Sequence, residues 1–230
     1  APKLWRVGEH VWCLVGNGLS NQVFVEGPEG VIAIDTGECV EEMAAALRAF
    51  RTQCDRPVVA VIYSHFHYVG GTAALKDDAH TSWADAQGWC HRGVLRNRQR
   101  VAGEVSATIG RGLIHQMGIL LPPEGEDGLL HLGLGRFYRN PEHAPFTQGF
   151  VAPTHTFDTP TRARLAGLDV ELTPAPSDAD DSVTIWFPAL GVCVNNLVWP
   201  ALFNIFPIRG EPYRDPIVIV EGVDHIRSLP

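Results

Sequence analysis

The chain of 230 residues lacks two features that would assign it directly to a class of proteins: a long apolar run and an excess of basic residues. No apolar run approaches the roughly 18 residues that a membrane span needs. The net charge is −8, and a general nucleic-acid binder needs a basic face for phosphate contacts. Hydrophobic residues make up 45% of the chain, which is enough to build the core of an ordinary globular protein.

Cysteine is sparse and unclustered. No CxxC spacing occurs, which excludes a zinc ribbon and argues against a dense disulfide framework. We expect each cysteine to be a small buried apolar residue. No charged segment followed by an apolar one opens the chain, so no signal peptide is predicted, and no repeat occurs at solenoid periods. The sequence leaves the compartment open. The five cysteines are Cys13, Cys39, Cys54, Cys90 and Cys193.

Apolar runs bounded by glycine and proline predict two blocks of strands, each followed by helices. The first block reads as an antiparallel meander that ends in Asp35-Thr36-Gly37. This order indicates a two-sheet sandwich with outer helices. The irregular stretch from Gly118 to Pro160 is typical of a lid or binding loop. The predicted strands are His10–Val15, Asn21–Glu26, Val31–Asp35, Pro57–Tyr63, His155–Phe157, Arg162–Leu165, Asp169–Leu172, Ser182–Phe187 and Gly191–Asn195, and the predicted helices are Glu38–Arg51, Asp85–Met117 and Asp215–Leu229.

The segment Ser64-His65-Phe66-His67-Tyr68-Val69-Gly70-Gly71 directly follows a predicted buried strand. In an extended strand end, His65 and His67 point to the same side, because the side-chain period is two. Two imidazoles on one side can share a cation such as zinc. An isolated H-x-H pair is a weak signal among ten histidines, but ligands bind beyond the carboxyl ends of strands in α/β proteins. The segment therefore predicts a metal clamp.

Taken together, several segments resemble the metallo-β-lactamase superfamily, in its alkylsulfatase-like branch. The resemblance implies an α/β fold, a four-layer αββα sandwich, with residues 1–230 forming one domain that lacks its C-terminal part. The superfamily pattern lies in Ile34–Gly37, Tyr63–His67, Val69–Thr72 and Ser177–Ser182, and the branch is indicated by Met117–Pro122, Gly133–Gly135 and Asn204–Gly210.

The chain departs from the superfamily's His-x-His-x-Asp-His motif. His67-Tyr68 continues directly into Val69-Gly70-Gly71, so the Asp-His pair that would bind a second metal is absent. The position of the acidic residue that bridges two metals falls at Asn196, and a neutral amide is a poorer cation ligand. The resemblance places a later histidine ligand, and a dimerisation region, beyond Pro230.

What remains of the implied site is a single metal centre. The resemblance implies His65, His67 and Asp178 as ligands, with Asp181 as the competitor for the carboxylate position. Two histidines and one carboxylate with an open position form a catalytic zinc arrangement. One zinc ion is the expected cofactor, with manganese, iron or no metal as alternatives. A solvated turn is the alternative for Asp178, Asp180 and Asp181.

Three further residues are candidates for the site. Arg209 falls where the branch carries a sulfate-binding arginine, and its guanidinium suits sulfate oxygens; an ion pair with Asp215 or Glu211 is the alternative. Tyr68 adjoins the clamp and could donate a hydrogen bond to an anion. His115 is a candidate for substrate binding, with a buried structural histidine as the alternative.

Three functions are compatible with these residues. The resemblance implies a metal-dependent hydrolase that acts on an alkyl sulfate or similar anionic ester through a single-metal-activated water. The missing Asp-His pair motivates the second, a non-catalytic binding or structural member of the fold. A lactamase- or lactonase-type hydrolase is the third. The expected partner is a small anionic ester, with a homodimer or a missing C-terminal chain segment as further expected partners. A partner chain that carries a histidine-containing loop would complete the site.

Overall fold

Two β-sheets and four α-helices form the described part of the chain, which in this computed structural model is residues 1–122, 124–132, 138–197, 205 and 212–230. The first sheet contains β1 Lys3–Gly8, β2 Val11–Val15, β3 Gln22–Gly27, β4 Gly30–Ile34, β5 Val58–Tyr63, β6 Gln87–His91 and β7 His155–Phe157. The second contains β8 Thr161–Leu165, β9 Leu168–Pro174, β10 Val183–Phe187 and β11 Val192–Val194. The helices are α1 Val40–Phe50, α2 Gly93–Ala102, α3 Ser106–Met117 and α4 Pro216–Ser228.

The first sheet is mixed, and its parallel half positions the site. Strands follow in chain order from β1 to β7, antiparallel from β1 to β4 and parallel from β4 to β7. The carboxyl ends of β4 and β5 therefore share one edge of the sheet. Asp35 follows β4 there, and Ser64 and His65 follow β5.

The centre of the first sheet is buried on both faces. Along β4, Val31 and Ala33 pack in the core that contains α1, whereas Ile32 and Ile34 pack in the core that contains the second sheet. This alternation follows from the two-residue period of a strand. A strand buried on both sides has no polar face, which explains why β4 reads as an unbroken apolar run.

Beside the motif, a backbone hydrogen bond joins the second sheet to the loop that follows β5. Strands β8 to β11 form an antiparallel meander in the order β11-β10-β9-β8. At the start of β10, the backbone N–H of Val183 donates to the carbonyl of Ser64 at 2.9 Å. The loop between β9 and β10, which carries Asp178 and Asp181, is thereby held against the His65 segment.

Most of the predicted elements are confirmed, and the two-sheet α/β sandwich with outer helices is confirmed with them. The prediction of a helix from Asp85 to Met117 was wrong at its start, because Gln87–His91 is strand β6, paired in parallel with β5 and β7. The rest of that segment is divided into α2 and α3 at Gly103. Strand β1 was not predicted. Within the described residues, no helix combines the length and apolar character that crossing a bilayer requires.

Candidate metal centre

Two imidazoles converge on one carboxylate oxygen at the end of β5. His67 Nδ1 lies 3.0 Å and His65 Nε2 lies 3.3 Å from Oδ2 of Asp178. The two rings are nearly perpendicular, at 88°, with centroids 5.0 Å apart. The histidines lie in a bend beyond the strand, so they converge through loop geometry and not through the strand-like alternation that the sequence suggested.

Asp178 is fixed from two sides. Its loop is closed by the hydroxyl of Ser182, which accepts a hydrogen bond from the N–H of Ala179 at 3.2 Å. Arg214 donates from Nη2 to Oδ1 of Asp178 at 2.8 Å and from Nε to its backbone carbonyl at 2.9 Å. Burial alone would raise the pKa of Asp178, but its contacts with His65 and His67 hold the pKa well below the ordinary value. The carboxylate is therefore ionised, and Oδ2 faces the histidines.

A polar network holds the other edge of the His65 ring. Ser64 donates from its backbone N–H and its hydroxyl to the carboxylate of Asp35, and its Oγ lies 2.9 Å from Nδ1 of His65. Asn196 Nδ2 lies 3.1 Å from both Ser64 Oγ and His65 Nδ1. A metal at Nε2 of His65 requires the tautomer with its proton on Nδ1, and Ser64 Oγ at 2.9 Å is positioned to accept that proton. That tautomer leaves a lone pair on Nε2.

The residues present fit a divalent metal ion. Nε2 of His65 is buried and has no hydrogen-bond partner, although a carboxylate oxygen lies 3.3 Å away. In the tautomer with the proton on Nδ1, a cation between Nε2 and this oxygen would relieve the repulsion between the lone pair and the anion. One ligand atom from each of His65, His67 and Asp178 lies within 4.8 Å of the others. Two imidazoles and a carboxylate are a donor set suited to zinc.

The residues that follow His67 are joined to the loop after β4 by backbone hydrogen bonds. The N–H of Thr36 donates to the carbonyl of Tyr68 at 2.8 Å, and the N–H of Gly70 donates to the carbonyl of Gly37 at 2.9 Å. A Cβ on Gly71 would lie 2.1 Å from the carbonyl oxygen of Thr36, so glycine is needed for close approach. In the ranges that the structure describes, no fourth imidazole, thiol or carboxylate joins the three ligands.

Asp181, the competing carboxylate, binds elsewhere. It is fully buried and accepts hydrogen bonds from the backbone N–H of Phe66 at 3.3 Å and from Asn97 Nδ2 at 2.9 Å. Burial raises its pKa. It supports the backbone between the two histidines, whereas Asp178 contacts their rings.

The other candidates lie in three different places. The Tyr68 ring is 5.3 Å from that of His65 and 5.9 Å from that of His67, measured between centroids, so it adjoins the clamp. His115 is exposed on α3 and is not brought to the cluster. Arg209 lies outside the described residues. Asn196, to which the resemblance assigns the position of a bridging carboxylate, contacts Nδ1 of His65, on the ring edge opposite Asp178.

A cavity of about 140 Å³ borders the cluster at Asp178. Neither histidine lines it, but Phe66, which lies between them, does. Its walls combine apolar side chains with two arginines and with three aspartates, Asp178, Asp180 and Asp215. The lining includes Phe66, Val101, Pro176, Pro212, Tyr213 and Val218, together with Arg100 and Arg214.

Sequence reasoning missed two residues that support the centre, Arg214 and Asn97. Arg214 directly precedes Asp215-Pro216, a pattern that indicates the start of a helix, and the Asp215 side chain does cap α4. That pattern predicts the helix but no role for Arg214. Asn97 lies on α2 among three arginines and donates to both Asp180 and Asp181. A buried asparagine on a helix is unusual, but burial is not visible in a single sequence.

Comparisons with known proteins give relatives of one kind. The linear primary-alkylsulfatase of Pseudomonas sp. (strain ATCC 19151) is 29% identical over 209 residues, which cover 89% of this chain and 38% of the relative. The alkyl/aryl-sulfatase BDS1 of Saccharomyces cerevisiae is 27% identical over 92% of this chain and 33% of its own length. The chain therefore spans about a third of the length of these relatives. No family model matches the chain.

Solved structures show the same fold. The stereoselective inverting sec-alkylsulfatase Pisa1 from Pseudomonas sp. superimposes with a TM-score of 0.86 at 23% identity, over 97% of this chain and 36% of that one. A metallo-β-lactamase from Pontibacter korlensis superimposes with a TM-score of 0.58 at 14% identity, over 99% of this chain and 85% of that one.

Proposed function

We propose that this chain carries the metal centre of a hydrolase of anionic esters. Its resemblance to the alkylsulfatase-like branch of the metallo-β-lactamase superfamily is confirmed by sequence and fold. The proposed substrate is an alkyl sulfate or a similar ester. The sequence relatives, which are named as alkylsulfatases, support this substrate class.

The convergence of His65, His67 and Asp178 carries the proposal. These three residues would hold one divalent cation, with zinc as the proposed metal and manganese or iron as alternatives. When bound, such a cation supplies Lewis acidity and lowers the pKa of a coordinated water. The network through Ser64 and Asp35 orients His65 so that Nε2 faces the cation.

The cavity beside Asp178 supports an ester with an apolar tail. Phe66, Val101 and Val218 would bury that tail and exclude water from it. Arg100 also lines the cavity, and its charge suits an anionic group at the reacting end. Tyr68 would donate to the anion from beside the clamp. Arg209 stays a proposed sulfate ligand, and His115 a proposed substrate-binding residue.

The experiment combines metal analysis with an activity assay. The 230-residue chain is loaded with zinc or manganese, its metal content is measured by plasma mass spectrometry, and sulfate release from octyl sulfate is followed. We expect His65→Ala and His67→Ala each to lose one metal equivalent and to reduce turnover to background. His10→Ala replaces an exposed histidine far from the centre and should change neither measurement. Metal content unchanged by His65→Ala would contradict the proposed centre.

The non-catalytic alternative is favoured by one observation. The loop after His67 is bound to Thr36 and Gly37 through its backbone, and it offers no ligand for a second metal. A chain that binds metal at His65 and His67 but releases no sulfate would fit this alternative. A panel that includes a lactam and a lactone distinguishes the third function, because turnover limited to those substrates would favour a lactamase-type hydrolase.

A further inference from the structure

A second group of potential metal ligands lies apart from the candidate centre. Cys39, Glu42 and His143 are all buried, and one ligand atom from each lies within 4.8 Å of the others. The three side chains offer a sulfur, a carboxylate oxygen and an imidazole nitrogen. They belong to a different set of elements from His65, His67 and Asp178, and nothing in the proposed hydrolysis uses them.

The start of α1 presents two of these residues. Cys39 is the N-cap residue and Glu42 lies in the first turn, so their side chains share one end of the helix. No side-chain capping hydrogen bond joins the Cys39 sulfur to the N–H groups of the first turn. Burial raises the pKa of the Cys39 thiol to about 11, so a metal would bind there by displacing the thiol proton.

The Glu42 carboxylate is held in place without an ion pair. Its Oε1 accepts a hydrogen bond from Gln22 Nε2 at 2.9 Å, and its Oε2 accepts from the N–H of Glu38 at 3.2 Å. No ion pair joins it to a cationic side chain among the described residues, although it is 3% exposed. Arg139 interacts with this carboxylate electrostatically without an ion-pair contact, and a bound cation would offset the remaining cost of burying it.

His143 approaches from a separate segment. It ends the short 3-10 helix Pro141–His143, which Asn140 caps by accepting from the N–H of Glu142. The residue is 5% exposed, yet no hydrogen bond joins its imidazole to any residue that the structure describes. A buried imidazole normally finds a partner, and this one lies beside a thiol and a carboxylate.

We propose that Cys39, Glu42 and His143 form a buried structural site for zinc or a similar transition-metal ion. Sulfur, nitrogen and oxygen ligands together suit zinc and disfavour calcium or magnesium, which prefer oxygen alone. The site would fasten the segment from Asn140 to Gly149 to the start of α1.

That segment also contacts the loop behind the first centre. The N–H of Gly149 donates to the carbonyl of Gly70 at 2.7 Å, and Gln148 Nε2 donates to the carbonyl of Glu38 at 2.9 Å. Gly70 lies three residues after His67. A metal at His143 would therefore stabilise the loop that follows the His65–His67 clamp.

Cobalt spectroscopy separates the two sites, because only the second contains a thiol. In the background of His65→Ala and His67→Ala, reduced protein is titrated with Co²⁺, and the thiolate-to-cobalt charge-transfer band in the near ultraviolet is followed. We expect the band to saturate at one equivalent. The band should disappear in Cys39→Ser. In His143→Gln, the Co²⁺ affinity obtained from the titration should fall at least about tenfold, as the loss of a ligand predicts. Cys13→Ser removes a half-buried cysteine on β2 and should leave the band unchanged.

Zinc stoichiometry of the otherwise unaltered chain gives a second measurement that does not depend on the double substitution. Cys39→Ser should lose one zinc per chain while it keeps the zinc that depends on His65. A protein with a native circular dichroism spectrum that shows no charge-transfer band would overturn the proposal and leave Cys39 as a buried residue at the start of α1. A band that persists in Cys39→Ser would also overturn it.

Discussion

Arg214 binds Asp178 through two of its nitrogens, Nη2 to the carboxylate Oδ1 at 2.8 Å and Nε to the backbone carbonyl at 2.9 Å. The guanidinium occupies one carboxylate oxygen and leaves Oδ2 to His65 and His67. The arginine side chain is 10% exposed, so little water competes for these contacts. Arg214 therefore determines which way the carboxylate faces.

Replacing Arg214 should weaken metal binding without removing a ligand. We expect Arg214→Gln to lower zinc affinity roughly 10- to 100-fold, the usual effect of losing a partner of a metal ligand. Arg214→Lys should recover only part of the affinity, because a single ammonium cannot reproduce the two-nitrogen contact. Competition with a chromogenic chelator measures the affinity. Arg96→Gln is the matched control, since Arg96 pairs with the neighbouring Asp180 on the exposed side. Equal affinities for Arg214→Gln and Arg96→Gln would contradict the positioning role.

Restoring a carboxylate at position 196 should not create a second metal site. The amide of Asn196 contacts Ser64 Oγ and Nδ1 of His65, whereas Nε2 of the same ring faces Asp178. A carboxylate there would accept the Nδ1 proton of His65 instead of reaching a metal beyond Nε2. We expect zinc stoichiometry of Asn196→Asp to equal that of the unaltered chain, with Asn195→Asp as the neighbouring control. One additional zinc equivalent in Asn196→Asp would show that the prediction is wrong.

The fold was largely predictable because its central strands are uniformly apolar. Strand β5 is buried along nearly its whole length, so its sequence is an uninterrupted apolar run. Strand β1 was missed because it lies at the sheet edge and pairs only with β2, leaving Trp5 48% exposed and Val7 60% exposed. Its apolar side chains do not mark a buried face, so the apolar pattern of β1 does not indicate a strand.

The candidate site was predictable only where its residues are close in sequence. His65 and His67 lie two positions apart, and Asp178 was identified through the family resemblance. Arg214 and Asn97 carry no motif, because their role comes from the tertiary packing of two helical segments against the loop that holds Asp178 and Asp181. No local pattern in a single sequence encodes such a contact.

A side chain at position 71 should disrupt the loop after the clamp. The Cβ of an alanine would lie 2.1 Å from the carbonyl oxygen of Thr36 and 2.5 Å from that of Cys39. Because these are backbone atoms, the strand-end loops must separate, which we expect to destabilise the fold by about 3 kcal/mol or more. Urea denaturation measures the loss. Gly110→Ala is the control, since nothing lies within 4 Å of its added Cβ and alanine favours a helix. Equal stability of Gly71→Ala and the unaltered chain would contradict the close approach.

Asp78 should give the protein an acid-sensitive ion pair far from the metal centre. Arg51 donates to this carboxylate from Nε at 3.1 Å and also from Nη2, and Thr81 donates its hydroxyl. Burial alone would raise the pKa of Asp78, but the hydrogen bonds from Arg51 and Thr81 lower it below the ordinary value. A carboxylate whose pKa is lowered in the folded state contributes stability above its unfolded pKa of about 3.9, and that stability is lost as the pH falls through the folded value.

We therefore expect Asp78→Asn to destabilise the fold by about 3 kcal/mol near neutral pH, because it leaves the Arg51 charge buried without its partner. The difference from the unaltered chain should shrink as the pH falls below about 4, where Asp78 itself becomes protonated. Urea denaturation at a series of pH values measures both effects. Asp169→Asn removes an exposed partner of Arg164 and should change stability little at any pH. A difference between Asp78→Asn and the unaltered chain that stays constant into the acid range would mean that the Asp78 pKa is not lowered in the folded state.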